Sequence, residues 1–131
     1  MLLARLLLGA NAAMFLALGA WVLVAPATVA GFVAFDLSSP TARAEFLAFY
    51  GGFELGFGAF LAACATRPAW LKPGLVALGL ALSCTGGARA FGIVTGGPVQ
   101  ANLVQFMVFE LACAPLCFIA ARRLRSARRR G

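Results

Sequence analysis

The chain has 131 residues, 63% of them hydrophobic and only 11% charged, and its mean hydropathy is +0.95. Soluble domains carry about 45–50% apolar and about 25% charged residues, so this composition excludes an ordinary water-soluble fold and points to a membrane protein. A helical span takes about 20 residues, so four spans with short connections use nearly the whole length and leave no room for a soluble domain.

The net charge of +7 is unevenly placed. Six of the eleven basic residues (Arg122, Arg123, Arg125, Arg128, Arg129 and Arg130) fall in the last ten positions. There is no histidine, which removes the commonest metal ligand and the usual catalytic base. The four cysteines (Cys64, Cys84, Cys113, Cys117) show no C-x-x-C spacing and read as small apolar packing residues. No metal and no cofactor is expected.

The first span is read from about Leu6 to Ala25, closed by Pro26. Its apolar core of about 20 residues exceeds the 7–15 of a secretory signal, so a retained helix is expected. Trp21 suits a place in the interfacial aromatic belt. Asn11, the strongly polar residue within the span, suits interhelical hydrogen bonding. The connection Ala27–Ser39 carries an apolar patch, Phe32-Val33-Ala34-Phe35. The patch is too short to span, has no obvious fixed partner, and is expected to be more mobile than the other connections. It reads as an interfacial anchor or, functionally, as a lid.

Ser39-Pro40 gives an N-cap with proline at the first helical position, so a second helix starts there and runs to about Ala65. It contains Tyr50-Gly51-Gly52-Phe53-Glu54-Leu55-Gly56. Gly52 and Gly56 form a G-x-x-x-G pair of the kind that admits a neighbouring backbone. Tyr50, Glu54 and Gly58 share a face at i, i+4 and i+8. After a basic turn bounded by Pro68 and Pro73, a third helix runs from about Gly74 to Val94. Around Arg89 it is small and polar, with Thr85, Gly86 and Gly87. The Thr95–Pro98 turn leads to a fourth helix from about Val99 to Ala121, with Glu110 at its middle and Pro115 one turn on. Residues 1–121 are thus read as one four-span domain and residues 122–131 as a basic tail.

Two further patterns concern the whole chain. Phe53-Glu54-Leu55 and Phe109-Glu110-Leu111 sit at matching depths in the second and fourth helices, as in a parallel internal repeat. Arg5, Arg67, Lys72 and the tail fall on one side and Arg43 on the other, so the positive-inside rule puts both termini in the cytoplasm. The tail reads as an anchor on anionic headgroups. With no aromatic residue interleaved for base stacking, nucleic acid is not an expected partner.

The Tyr50-Gly51-Gly52 segment with Glu54 and Gly56, the Gly-Gly-Ala-Arg-Ala segment ending at Ala90, and Glu110 together resemble the family of small bacterial four-helix membrane proteins described as domain of unknown function 4345. The resemblance spans nearly the whole chain. It implies a location in the bacterial cytoplasmic membrane and no particular activity. At the level of layout the chain is also similar to small four-helix DoxX-type proteins.

The expected fold is all-α, a four-helix transmembrane bundle. Charges within hydrocarbon cost about 2.5–3.5 kcal/mol each and rarely sit there idly. Reflecting Glu54 and Glu110 through their adjoining turns brings each level with about Thr85, one turn from Arg89. A polar centre of Glu54, Arg89 and Glu110, lined by Tyr50, Asn11 and Thr85, is therefore expected, with Gly52, Gly56, Gly86 and Gly87 as packing positions. Three functions compete: a structural or accessory subunit held by buried charges, with a second copy or another membrane protein as partner; a binding or transport site for a small molecule or protons; and an enzyme acting on a lipid-soluble substrate. The first is favoured. The scarcity of polar groups weighs against the enzyme.

Overall fold

The computed structural model describes residues 1–97 and 99–128, with side chains through Leu124. Expectations resting on Pro98 and on the side chains of Arg125, Arg128, Arg129 and Arg130 lie outside the described residues. Among those described there is helix and no strand. The helices are α1 (Leu2–Val24), α2 (Pro26–Phe32), α3 (Pro40–Phe46), α4 (Glu54–Thr66), α5 (Leu71–Gly96) and α6 (Ala101–Arg128). A π-helical stretch, Leu47–Phe53, joins α3 directly to α4, and a single 3₁₀ turn, Pro68–Trp70, precedes α5. Among the described residues, four segments are long and apolar enough to cross a membrane: Leu2–Val24, Pro40–Thr66, Pro68–Gly96 and Ala101–Leu124.

The boundaries follow local chemistry. Ser39 caps α3, its Oγ accepting the Ala42 amide at 3.0 Å, with Pro40 at the first helical position. Pro26 opens α2 instead of merely closing α1. A proline costs a helix nothing at its first position, where the missing N–H would have no partner anyway. At the other end α6 continues past Ala121 to Arg128. Arginine is a good helix former, and no glycine or proline interrupts residues 122–128, so the helix runs on into the first part of the basic segment.

The connection after α2 differs most from expectation. The Phe35 amide bonds to the Ala30 carbonyl at 2.9 Å and the Ala34 amide to Gly31 at 3.4 Å. Ala34 takes a left-handed φ of 53°. This is a Schellman stop with alanine where glycine is usual. Phe32 packs edge-on to Trp21, at 5.7 Å between ring centroids. Phe35 packs against Phe46 at 5.1 Å and Tyr50 at 6.3 Å. The apolar patch therefore has fixed aromatic partners. Asp36 closes the connection locally, accepting both the amide and the hydroxyl of Ser38.

The chain divides into two compact units, one formed by Gly9–Ala63 and the other by Met1–Leu8 with Cys64–Gly131. In the first, α1 and α4 pack antiparallel through glycines. A Cβ on Gly19 would lie 2.9 Å from the Gly51 carbonyl oxygen and the Leu55 amide, and one on Gly58 would lie 3.0 Å from the Leu16 amide. Phe15 and Phe57 meet edge-to-face at 5.2 Å. One end of this unit is filled by Val22, Val29, Ala30 and Phe46, with Tyr50 packed against them.

In the second unit α5 and α6 are antiparallel. The buried stripe Leu75, Leu78, Gly79, Leu82 and Gly86 follows the helical period along α5. A Cβ on Gly79 would lie 2.9 Å from the Phe118 ring, and one on Gly86 would lie 2.9 Å from Leu111 and 3.2 Å from Glu110.

Candidate functional site

Arg89 lies three residues beyond Gly86, so it continues the α5 stripe that faces α6. Glu110 stands opposite Gly86. Helical side chains lean toward their own N-terminus, and across an antiparallel pair the two leans converge. The Arg89 Nε bonds to both oxygens of Glu110, at 3.0 Å to Oε2 and 3.3 Å to Oε1. The guanidinium also sits over the ring of Phe106, 5.7 Å from its centroid. Phe106 and Glu110 are four residues apart on α6, so they present one face, acidic above and aromatic below.

The pair is asymmetrically exposed, 29% for Arg89 and 12% for Glu110. The carboxylate is spent on Nε. The terminal nitrogens Nη1 and Nη2, with four N–H donors, bond to no protein atom among the described residues. An arginine so arranged is fixed by one edge and offers a planar fork with the other.

Of the other residues expected at the polar centre, Thr85 does not take part. Its hydroxyl bonds to carbonyls of its own helix, Ala81 at 3.0 Å and Leu82 at 3.3 Å. Tyr50, Glu54 and Asn11 belong to the first unit. Tyr50 stacks on Phe46 at 4.8 Å. Asn11 is buried, and its Oδ1 and the Oε2 of Glu54 are shielded from solvent. The α1–α4 register puts Glu54 level with about Gly19, and ~12 Å of helix separates that level from Asn11 at 1.5 Å per residue. These two polar groups therefore mark different depths of their unit.

Among the expected packing glycines, Gly86 is tightly covered, whereas a Cβ on Gly56 or Gly87 would meet no described atom within 4 Å and one on Gly52 only the Leu47 carbonyl at 3.9 Å. The close approaches in the first unit are made by Gly19, Gly51 and Gly58 instead. Arg122 and Arg123 lie exposed near the end of α6. No group of three or more His, Cys, Asp or Glu side chains converges among the described residues.

Two features escaped the sequence reading. Phe106 was discoverable from its i, i+4 spacing to Glu110. The π-helical stretch immediately before Glu54 has no simple sequence signal, although π turns often mark functional places in helices.

Comparison with characterised proteins and with solved structures gives no match. A family model described as a domain of unknown function, DUF4345, matches residues 3–121. With four apolar helices able to span a bilayer and this match over nearly its whole length, the chain belongs to the DUF4345 family.

Proposed function

We propose that the protein is a structural or accessory component of the bacterial cytoplasmic membrane, with both termini in the cytoplasm, in which Arg89 and Glu110 fix the pairing of α5 with α6. The observation that carries this reading is the bond of Nε to both carboxylate oxygens on the helix-facing stripe. A buried ion pair adds little net stability, but breaking one half is costly, so its use is to specify an arrangement. In this reading the partner is a second copy or another membrane protein.

The test is a double-substitution cycle read by thermal unfolding in detergent. Arg89→Ala should destabilise by about 3 kcal/mol, the lower end for a broken buried pair because Arg89 is 29% exposed. Adding Glu110→Gln to Arg89→Ala should recover much of that loss by removing the stranded charge. Arg89→Lys should resemble Arg89→Ala, since a compact ammonium cannot reproduce the side-on contact over Phe106. A double variant no more stable than Arg89→Ala alone would overturn the reading.

A second reading has its own observation, the Nη edge of Arg89. That edge suits an acceptor group of a lipid-soluble small molecule, a carbonyl or a carboxylate, within a binding or transport site. It separates from the first by native mass spectrometry of the purified protein. A co-purifying small molecule lost in Arg89→Lys supports binding, and identical spectra count against it.

A further inference from the structure

The second unit is electrically unbalanced. Of the eleven Lys and Arg residues all but Arg43 belong to it, against one acidic residue, Glu110, which is committed to Arg89. Its register gathers much of this charge at one end. Gly79 faces Phe118 and Gly86 faces Leu111, so Lys72 at the start of α5 is level with about Leu124 on α6. Arg122 and Arg123 lie within one turn of that level. Leu8 reaches to within 3.3 Å of the Gly74 Cβ position, which brings Arg5, three residues before it, to the same end. Among the described residues of the unit no Asp or Glu lies at that end, since its one acidic residue, Glu110, is at Arg89, so the end suits an anionic partner.

Two of these cations differ in what they do. The Arg67 guanidinium lies 4.6 Å over the Trp70 ring. Trp70 is 42% exposed, as suits a ring at headgroup depth. Lys72, two residues on, stands at the head of a groove. The groove has a volume of about 450 Å³ and is lined by Lys72, Pro73, Val76, Ala77 and Leu80. These positions form one stripe of α5, away from the stripe that meets α6, and extend ~12 Å along the axis. The small Ala77 leaves the space between larger neighbours. A single ammonium thus heads an otherwise apolar channel, beside an exposed tryptophan of the kind enriched at membrane–water interfaces. The complement is an amphiphile with an anionic head and a hydrocarbon chain.

We propose that this groove seats one acyl chain of an anionic phospholipid whose phosphate bonds to the Lys72 ammonium. The groove is lined by α5 alone, and the proposal rests on the membrane location, independently of the role of Arg89.

Trp70 is a built-in reporter. In full-length protein carrying Trp21→Phe, reconstituted in vesicles of phosphatidylcholine with a minor share of brominated lipid, brominated phosphatidylglycerol should quench Trp70 more than brominated phosphatidylcholine does. Lys72→Gln should lower that preference about fivefold, the factor for about 1 kcal/mol from one basic residue at the surface. Lys72→Arg should retain most of it. Ala77→Phe, which fills the channel and leaves the charge, should lower it too. Arg122→Gln with Arg123→Gln should leave it largely intact. Equal quenching by the two lipids, or a preference untouched by Lys72→Gln, overturns the site. A preference lost in Lys72→Gln but unchanged in Ala77→Phe reduces it to surface charge and overturns the groove.

Discussion

Gly19 is held between backbone atoms. A methyl group there would fall 2.9 Å from the Gly51 carbonyl oxygen and the Leu55 amide, which cannot swing aside as a side chain can. Gly19→Ala should therefore cost about 1–3 kcal/mol, as overpacking does, whereas Gly87→Ala has open space and should be neutral or slightly stabilising in helical surroundings. Thermal unfolding of the two variants side by side checks this, and equal effects would contradict the packing. Ala34 offers the opposite case. It holds a left-handed φ of 53° at a helix stop that glycine would fill without strain. Ala34→Gly should raise stability by roughly 1 kcal/mol, and a lowered melting temperature would argue against the Schellman geometry. Arg89 and Glu110 were legible as sequence because charge is rare in an apolar chain. Gly19 was not, because one glycine in an alanine- and leucine-rich helix carries no mark of what faces it.

At the scale of the element, spacing reports which residues share a face but not which face meets a neighbour. Gly52 and Gly56 do share one, yet the π-helical stretch turns Gly51, and α4 turns Leu55 and Gly58, toward α1. The stretch Leu47–Phe53 adds a further uncertainty, since its π turns change the phase between α3 and α4. A π turn commonly accommodates one extra residue so that the flanking α-helices keep their faces. Deleting Gly52, whose Cβ position has no close contact outside its own helix, should therefore let the segment close as continuous α-helix. The Phe46 cluster with Val22 and the approach of Gly58 to Leu16 should both survive. The expected result is a folded protein with helical content by circular dichroism close to that of the parent. Collapse of folding comparable to Gly58→Leu would show that the extra residue is not absorbed there. Helix existence was readable along the chain; the starts at Leu2 and Pro26 and the extension to Arg128 were not, because terminal turns are decided by weak and competing preferences.

At the scale of the molecule, the two Phe-Glu-Leu segments have related surroundings, each described within its own unit. Leu55 packs at Gly19 of α1, and Leu111 packs at Gly86 of α5. In both, a glycine of the preceding antiparallel helix receives the leucine that follows the glutamate. The units diverge three residues after that glycine, where one has Val22 and the other Arg89. The echo in sequence thus has a packing counterpart, and only one copy carries the arginine on its facing stripe.

The proposed orientation follows from charge at the same scale. If all four candidate segments span, the chain returns to its starting side, and the sequence then assigns Arg5, Arg67, Lys72 and the C-terminal basic segment to that side and Arg43 to the other. Basic residues within about 15–20 positions of span ends set orientation, so the Asp36 connection should face away from the cytoplasm. With the four native cysteines replaced by serine or alanine, Asp36→Cys should react in intact cells with a thiol reagent that cannot cross the membrane. Arg67→Cys and Ser126→Cys should react only after permeabilisation. Reversed labelling at all three positions would keep four spans and invert the orientation. Asp36→Cys and Ser126→Cys labelling together from one side would require an odd number of crossings between them to be abandoned, and with it the four-span reading itself.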